Sequence, residues 1–172
     1  MLMELIATFI AGFAGAGVAM LLNRIVGGRL PRWLTPVAAG AAMLIATLSA
    51  EYGWYNRTSA ALPDGLTVAR AVEKKPGFRV WAYVFPYVDR FAAVDLHSIK
   101  TNDALPDQRI ADLYLYGRWA QIQKMPVIVD CRNLERAQLT EGSAFADDGS
   151  ITGVAWIKVP AGDPVLTTIC EG

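Results

Sequence analysis

Apolar and polar positions follow two regimes along this chain. From Leu2 to Leu22 nearly every residue is apolar and Glu4 is the only charge, while Leu34 to Ala50 contains no charge at all. Beyond residue 55 the apolar residues instead come in short runs, several of them alternating with polar ones, broken by Pro, Gly and Asp. The first regime predicts two helices that are apolar all round, over about residues 2–22 and 34–54, joined by a loop at 23–33. The second predicts a linker at 56–65 and a small β-rich domain, α+β or mostly β, over 66–172.

A helix rises about 1.5 Å per residue, so roughly 20 apolar residues cross a hydrocarbon core about 30 Å thick. Trp33 before the second run, and Tyr52, Trp54 and Tyr55 after it, extend it to spanning length. Their rings suit the membrane interface. The alternative, two buried helices of a soluble protein, conflicts with the lack of a polar face on either run. Residues 1–55 therefore read as a transmembrane helical hairpin.

Its orientation follows from the loop, which carries Arg24, Arg29 and Arg32 and no acidic residue, while Met1 to Glu4 has no Lys or Arg. The positive-inside rule puts the loop in the cytoplasm and both chain ends on the opposite side, the periplasm of a two-membrane bacterium. The missing basic flank argues against a cleaved signal peptide. Ala7, Ala11, Gly15 and Ala19 on the first helix, and Ala38, Ala42 and Ala46 on the second, recur every four residues. Such small-residue stripes let backbones approach closely in lipid. A second stripe, Thr8, Gly12 and Ala16, either joins that zipper or is spare for a membrane-protein partner or self-association.

In the domain, Leu66–Lys74, Phe78–Phe85, Phe91–Lys100, Val127–Cys131, Ile151–Val159 and Val165–Cys170 read as strands. Phe78–Phe85 is apolar on both faces, as a central strand would be. Residues 108–123 fit either a helix capped by Asp107 or a strand, and the tyrosines favour strand for 110–116. Asn133–Leu139 reads as one or two helical turns, and 147–150 and 160–163 as turns.

Charge narrows the partners. The whole chain is balanced at 16 basic and 16 acidic residues. Beyond residue 55 there are 13 basic and 14 acidic residues, a net charge close to −1. Nucleic acid calls for a basic face and is excluded on that ground. The only cysteines, Cys131 and Cys170, both fall in the extracytoplasmic part, where two cysteines predict a disulfide. Without a CxxC pair, and with His97 the single histidine, neither redox chemistry nor a metal site is supported, and no cofactor is expected.

Catalytic groupings are sparse. Asp95 and His97 would share a strand face, the geometry of a carboxylate–imidazole pair, but Ser98 and Ser143 sit in no Gly-x-Ser-x-Gly elbow. The aromatic load is heavier. Trp81, Tyr83, Phe85, Tyr87 and Trp119 form either a core of large side chains or a partner surface, with Arg79, Arg90 and Arg118 close by in sequence.

The runs Arg79–Phe91 (RVWAYVFPYVDRF), Tyr116–Ala120 (YGRWA) and Pro126–Cys131 (PVIVDC) resemble small uncharacterised inner-membrane proteins of proteobacteria. That resemblance implies a two-helix anchor with a periplasmic domain, and no activity, cofactor or site residue. The expected function is a non-catalytic accessory, assembly or interaction protein of an inner-membrane complex. The alternatives are a membrane-tethered periplasmic hydrolase using His97 and a periplasmic sensor or ligand-binding domain.

Overall fold

The computed structural model describes residues 2–74, 86–102, 105–146 and 150–172. The chain divides into two compact units, Met1–Asn56 and Arg57–Gly172.

The first unit is the helical hairpin, α1 (Leu2–Ile25) and α2 (Leu34–Ala60). Both helices are long and apolar enough to cross a bilayer, and their lipid-length stretches are almost wholly exposed, which is consistent with a membrane anchor. α2 continues to Ala60, so residues 56–60, expected as linker, are helical. The helices touch through small residues. A methyl group added at Gly15 would fall 2.6 Å from the Ala42 Cβ and 2.8 Å from the Ala38 carbonyl oxygen. One added at Gly12 would fall 2.8 Å from the Met43 Cε. The zipper thus takes in Gly15, Ala38 and Ala42; Ala19 is buried, while Ala7 is exposed. Gly12, from the second stripe, is buried in the same contact. This close approach predicts that a Gly12→Cys/Met43→Cys pair oxidises to an interhelix disulfide. Adding Gly15→Ile should abolish the bond on a non-reducing gel, and undiminished bonding would mean that the helices do not cross at Gly15.

The second unit is a half-barrel built on an antiparallel sheet. Its strands are β1 (Leu66–Lys74), β2 (Tyr87–Asn102), β3 (Leu105–Gly117), β4 (Gln123–Asp130), β5 (Glu135–Gln138) and β8 (Ile157–Lys158), hydrogen-bonded in the order β1-β2-β3-β4-β5-β8. β6 (Ala144–Phe145) and β7 (Ile151–Thr152) form a separate two-stranded ribbon. Each of the first five strands pairs with its sequence neighbour, so only local turns are needed. Register shifts interrupt the β1–β2 ladder, with an extra residue at Ala69 in β1 and at Asp89 in β2, and the β2–β3 ladder between Asp95 and Lys100. Such bulges raise local twist and bend the strand, which curves the sheet.

Residues 110–116 are strand, as the tyrosines suggested. The expected strand at 78–85 lies outside the described residues, as do 147–149 of the turn before β7. Three expectations are corrected. Ile151–Val159 is two short strands in two sheets, because Gly153, at φ 77°, turns the chain between them. Asn133–Leu139 is not helical. The buried Asp130 carboxylate accepts from the backbone N–H groups of Arg132 (3.1 Å) and Asn133 (2.7 Å), and the resulting turn returns Glu135–Gln138 antiparallel to β4. Val165–Cys170 is not a strand but the core of α3 (Pro164–Glu171). Asp163 caps that helix by accepting from the Leu166 N–H at 3.2 Å, with Pro164 in the first turn, a combination that starts helices.

α3 packs one face of the sheet. Val165, Leu166 and Ile169 are buried, and Val165 and Ile169 meet Val94, Ala111, Leu113, Val127 and Val129 in the main core. The Arg109 guanidinium donates to the Ile169 carbonyl at 2.9 Å. Cys170, near the end of α3, is disulfide-bonded to Cys131, just past β4, with the Cα atoms 6.0 Å apart.

Candidate functional site

Strand register builds the site. Side chains alternate faces along a strand, and Ala92 pairs with Leu115 on one side and Arg70 on the other, while Leu113 pairs with Met125 and Ala111 with Val127. These residues share the face that α3 covers in part. Next to the helix the same face opens into a groove of about 890 Å³, lined among the described residues by Ala92, Leu113, Leu115, Met125, Val127 and Val165 at its apolar floor. That volume falls within the range of small-molecule sites, about 300–1,000 Å³.

The groove is edged with cations: Arg70, Lys74, Arg90, Arg118 and Arg136 line it, and among the described lining residues Asp89 is the one carboxylate. Two carboxylates organise them. Asp89, buried in β2, lies 3.3 Å from the Lys74 Nζ and 3.6 Å from the Arg90 Nε. Asp163, 6% exposed, lies 3.5 Å from Arg136 and 4.0 Å from Arg70. Each carboxylate is therefore shared by two cations, and each cluster keeps an excess positive charge. The Arg118 guanidinium stacks 4.8 Å over the Trp119 ring. Trp119 and its neighbour Ile122 are exposed in the β3–β4 turn, and Trp119 borders the groove.

Asp163 has two roles, helix cap and ion-pair partner, and two substitutions separate them. Asparagine caps as well as aspartate, so Asp163→Asn should cost no more than about 1 kcal/mol, because the arginines are part-exposed and solvent screens them. Asp163→Ala loses the cap as well and should cost about 1 kcal/mol more in chemical unfolding. Equal losses would mean that the cap contributes nothing.

On the sheet's other face, Phe91 is buried and stacks on Tyr116, ring centroids 4.7 Å apart and planes 3° from parallel. Burial, and then the nearby Tyr114, push the Tyr116 phenol above its ordinary pKa of 10.0. The Lys124 ammonium, 2.8 Å from the Asp112 carboxylate, is likewise raised, chiefly by that hydrogen bond.

The Asp95–His97 pair is not a catalytic arrangement. Both residues adjoin the β2 bulge, where the Asp95 Oδ1 accepts from the backbone N–H of His97 at 3.0 Å. The His97 ring lies against Gly65. The Ser98 hydroxyl donates to the Asp95 carbonyl (2.7 Å) and accepts from the Asp112 N–H (2.8 Å), so it staples the bulge rather than standing ready as a nucleophile. Among the described residues no group of three or more His, Cys, Asp or Glu could hold a metal ion.

The aromatic partner surface is only partly assembled in the described structure. Tyr87 is buried at the start of β2 and belongs to the core. Trp119 is exposed at the groove, and Trp81, Tyr83 and Phe85 lie outside the described residues. Of the arginines noted beside the aromatics, Arg90 and Arg118 do line the groove. Arg70, Lys74 and Arg136, together with the floor of Leu113, Leu115 and Met125, were missed by sequence reasoning, since they meet only through the register of five strands. The alternation of 111, 113 and 115 with polar or aromatic neighbours was their one visible signal.

No protein-family model matches the chain, no curated protein matches it, and no solved structure matches its fold.

Proposed function

We propose that the chain is a membrane-anchored extracytoplasmic binding module, a non-catalytic accessory component of a bacterial inner-membrane complex. The observation that carries this reading is the groove, whose apolar floor and cationic edge suit holding a partner or ligand, with no nucleophile–base pair among its described lining residues. In this reading α1 and α2 form the anchor, supported by their length and apolar character. Arg24, Arg29 and Arg32 mark the cytoplasmic loop, and both termini are periplasmic. The Cys131–Cys170 bond supports an oxidising compartment for the domain. The exposed pair Trp119 and Ile122 favours contact with a further subunit at the groove mouth.

Native mass spectrometry of the full chain, extracted from membranes in mild detergent, tests the reading. The expected spectrum shows the chain carrying additional non-covalent mass, a ligand or a stoichiometric subunit. Leu115→Trp, which fills the groove floor, should remove that mass. A spectrum of bare monomer or homodimer alone would overturn the proposal.

A further inference from the structure

The class of ligand follows from what the groove floor lacks. At Ala92, Leu113, Leu115 and Val127 its backbone is paired with a neighbouring strand on both sides. An extended peptide laid on this floor would find no ladder to join, and its own N–H and C=O groups would be desolvated without partners. A hydrocarbon chain has no such groups. The floor offers it Ala92, Leu113, Leu115, Met125, Val127 and Val165, all aliphatic or thioether.

The edge then selects the head group. Among the described lining residues five cationic side chains stand against one carboxylate, in a domain whose sequence is nearly neutral beyond residue 55, so positive charge is concentrated where the floor is apolar. Asp89 and Asp163 each hold a pair of cations without neutralising it. Charge-assisted hydrogen bonds from arginine favour planar or tetrahedral oxyanions, carboxylate or phosphate. We propose that the groove binds a single-chain anionic amphiphile, its acyl chain along the β2–β4 floor and its carboxylate or phosphate head held by Arg90, Arg136 and their neighbours. This rests on the reading of the groove as the working site and names the ligand class it takes.

Photolabelling tests it, using the full chain in nanodiscs of phosphatidylcholine. The probes are palmitate, lysophosphatidate and hexadecanol, each with a diazirine in mid-chain, and adducts are located by peptide mass spectrometry. The expected result is labelling of peptides containing Leu113, Leu115 and Met125 by the anionic probes. The neutral alcohol should label them about tenfold less, the loss of one charge-assisted interaction. The stronger of the two anionic probes identifies the head group. Leu115→Trp should abolish domain labelling while leaving any labelling of α1 and α2 intact. If Leu115→Trp does not melt cooperatively, the double variant Arg90→Gln/Arg136→Gln decides, with an expected loss of about tenfold or more in labelling by palmitate. Adducts confined to α1 and α2, equal labelling by the alcohol, or labelling unaffected by the double variant would each overturn the proposal. If the chain co-purifies with a mass that Leu115→Trp removes, yet neither anionic probe labels the groove, the ligand class fails while the binding-module reading stands.

Discussion

Replacing both Cys131 and Cys170 by serine will lower the stability of the domain by about 4 kcal/mol, from the chain entropy released when a loop of this size opens. The two cysteines are 39 residues apart in sequence. Against a typical total of about 5–15 kcal/mol, that is a large fraction. Thermal unfolding of the full chain in nanodiscs, followed by tryptophan fluorescence, should show a midpoint lower by roughly 20 °C. The loss should also be local at first. The bond ties α3 to the end of β4, and α3 carries Val165 and Ile169 into the core. Hydrogen exchange in the double variant should therefore show the amides of Leu166 to Cys170 losing protection before those of β2 and β3. An unchanged midpoint would show that core burial alone holds α3.

Phe91→Ala carries a comparable cost by a different route. Phe91 is 1% exposed and its ring stacks on Tyr116. Truncating a fully buried phenylalanine costs about 3–5 kcal/mol through lost transfer energy and the cavity left behind, of which about 1 kcal/mol belongs to the aromatic pair. Phe91→Leu keeps most of the volume and should recover all but about 1.5 kcal/mol. Denaturant unfolding with unchanged slope would read both values, and equal losses for Ala and Leu would mean that the stack, rather than volume, dominates. Opening this cavity wets Tyr116. Its phenol titrates above 10.0 in the native domain because burial opposes the charged form. Above that pH the unfolded chain releases the proton first, so stability falls as pH rises through the native pKa. In Phe91→Ala the ultraviolet titration of Tyr116 should move back towards its ordinary value.

Much of the architecture was legible because it rests on local patterns. The apolar runs of α1 and α2 need no tertiary information, and even the loose alternation of Leu66–Lys74 and Phe91–Lys100 falls within β1 and β2. Cys131 and Cys170 paired by elimination once the domain was read as extracytoplasmic. The errors have local causes as well. Val165–Cys170 is rich in β-branched residues, and the Asp163–Pro164 start signal, which was present, decided for helix. Asn133–Leu139 was misread because the turn that Asp130 forms by accepting from the N–H groups two and three residues on sends the chain back as β5 instead of into a helix. The pairing of Asp95 with His97 assumed a regular strand, and the bulge between Asp95 and Lys100 removed that regularity. The groove was the least legible feature. Arg70, Arg90 and Arg136 stand far apart in sequence and meet around Asp89 and Asp163 only after five strands are in register.

A sheet that curves without closing leaves two open borders, and these are places where identical chains can stitch together into aggregates. Among the described residues the borders are β1 and β8. β8 is only two residues long, too short to template a neighbour. β1 is longer, but a bulge at Ala69 breaks its line and Arg70, Glu73 and Lys74 punctuate it with charge. Under the proposed anchoring by α1 and α2, copies confined to a surface would meet far more often than copies free in solution, and this guarding of the borders would let the domain be displayed densely and still remain separate from its neighbours.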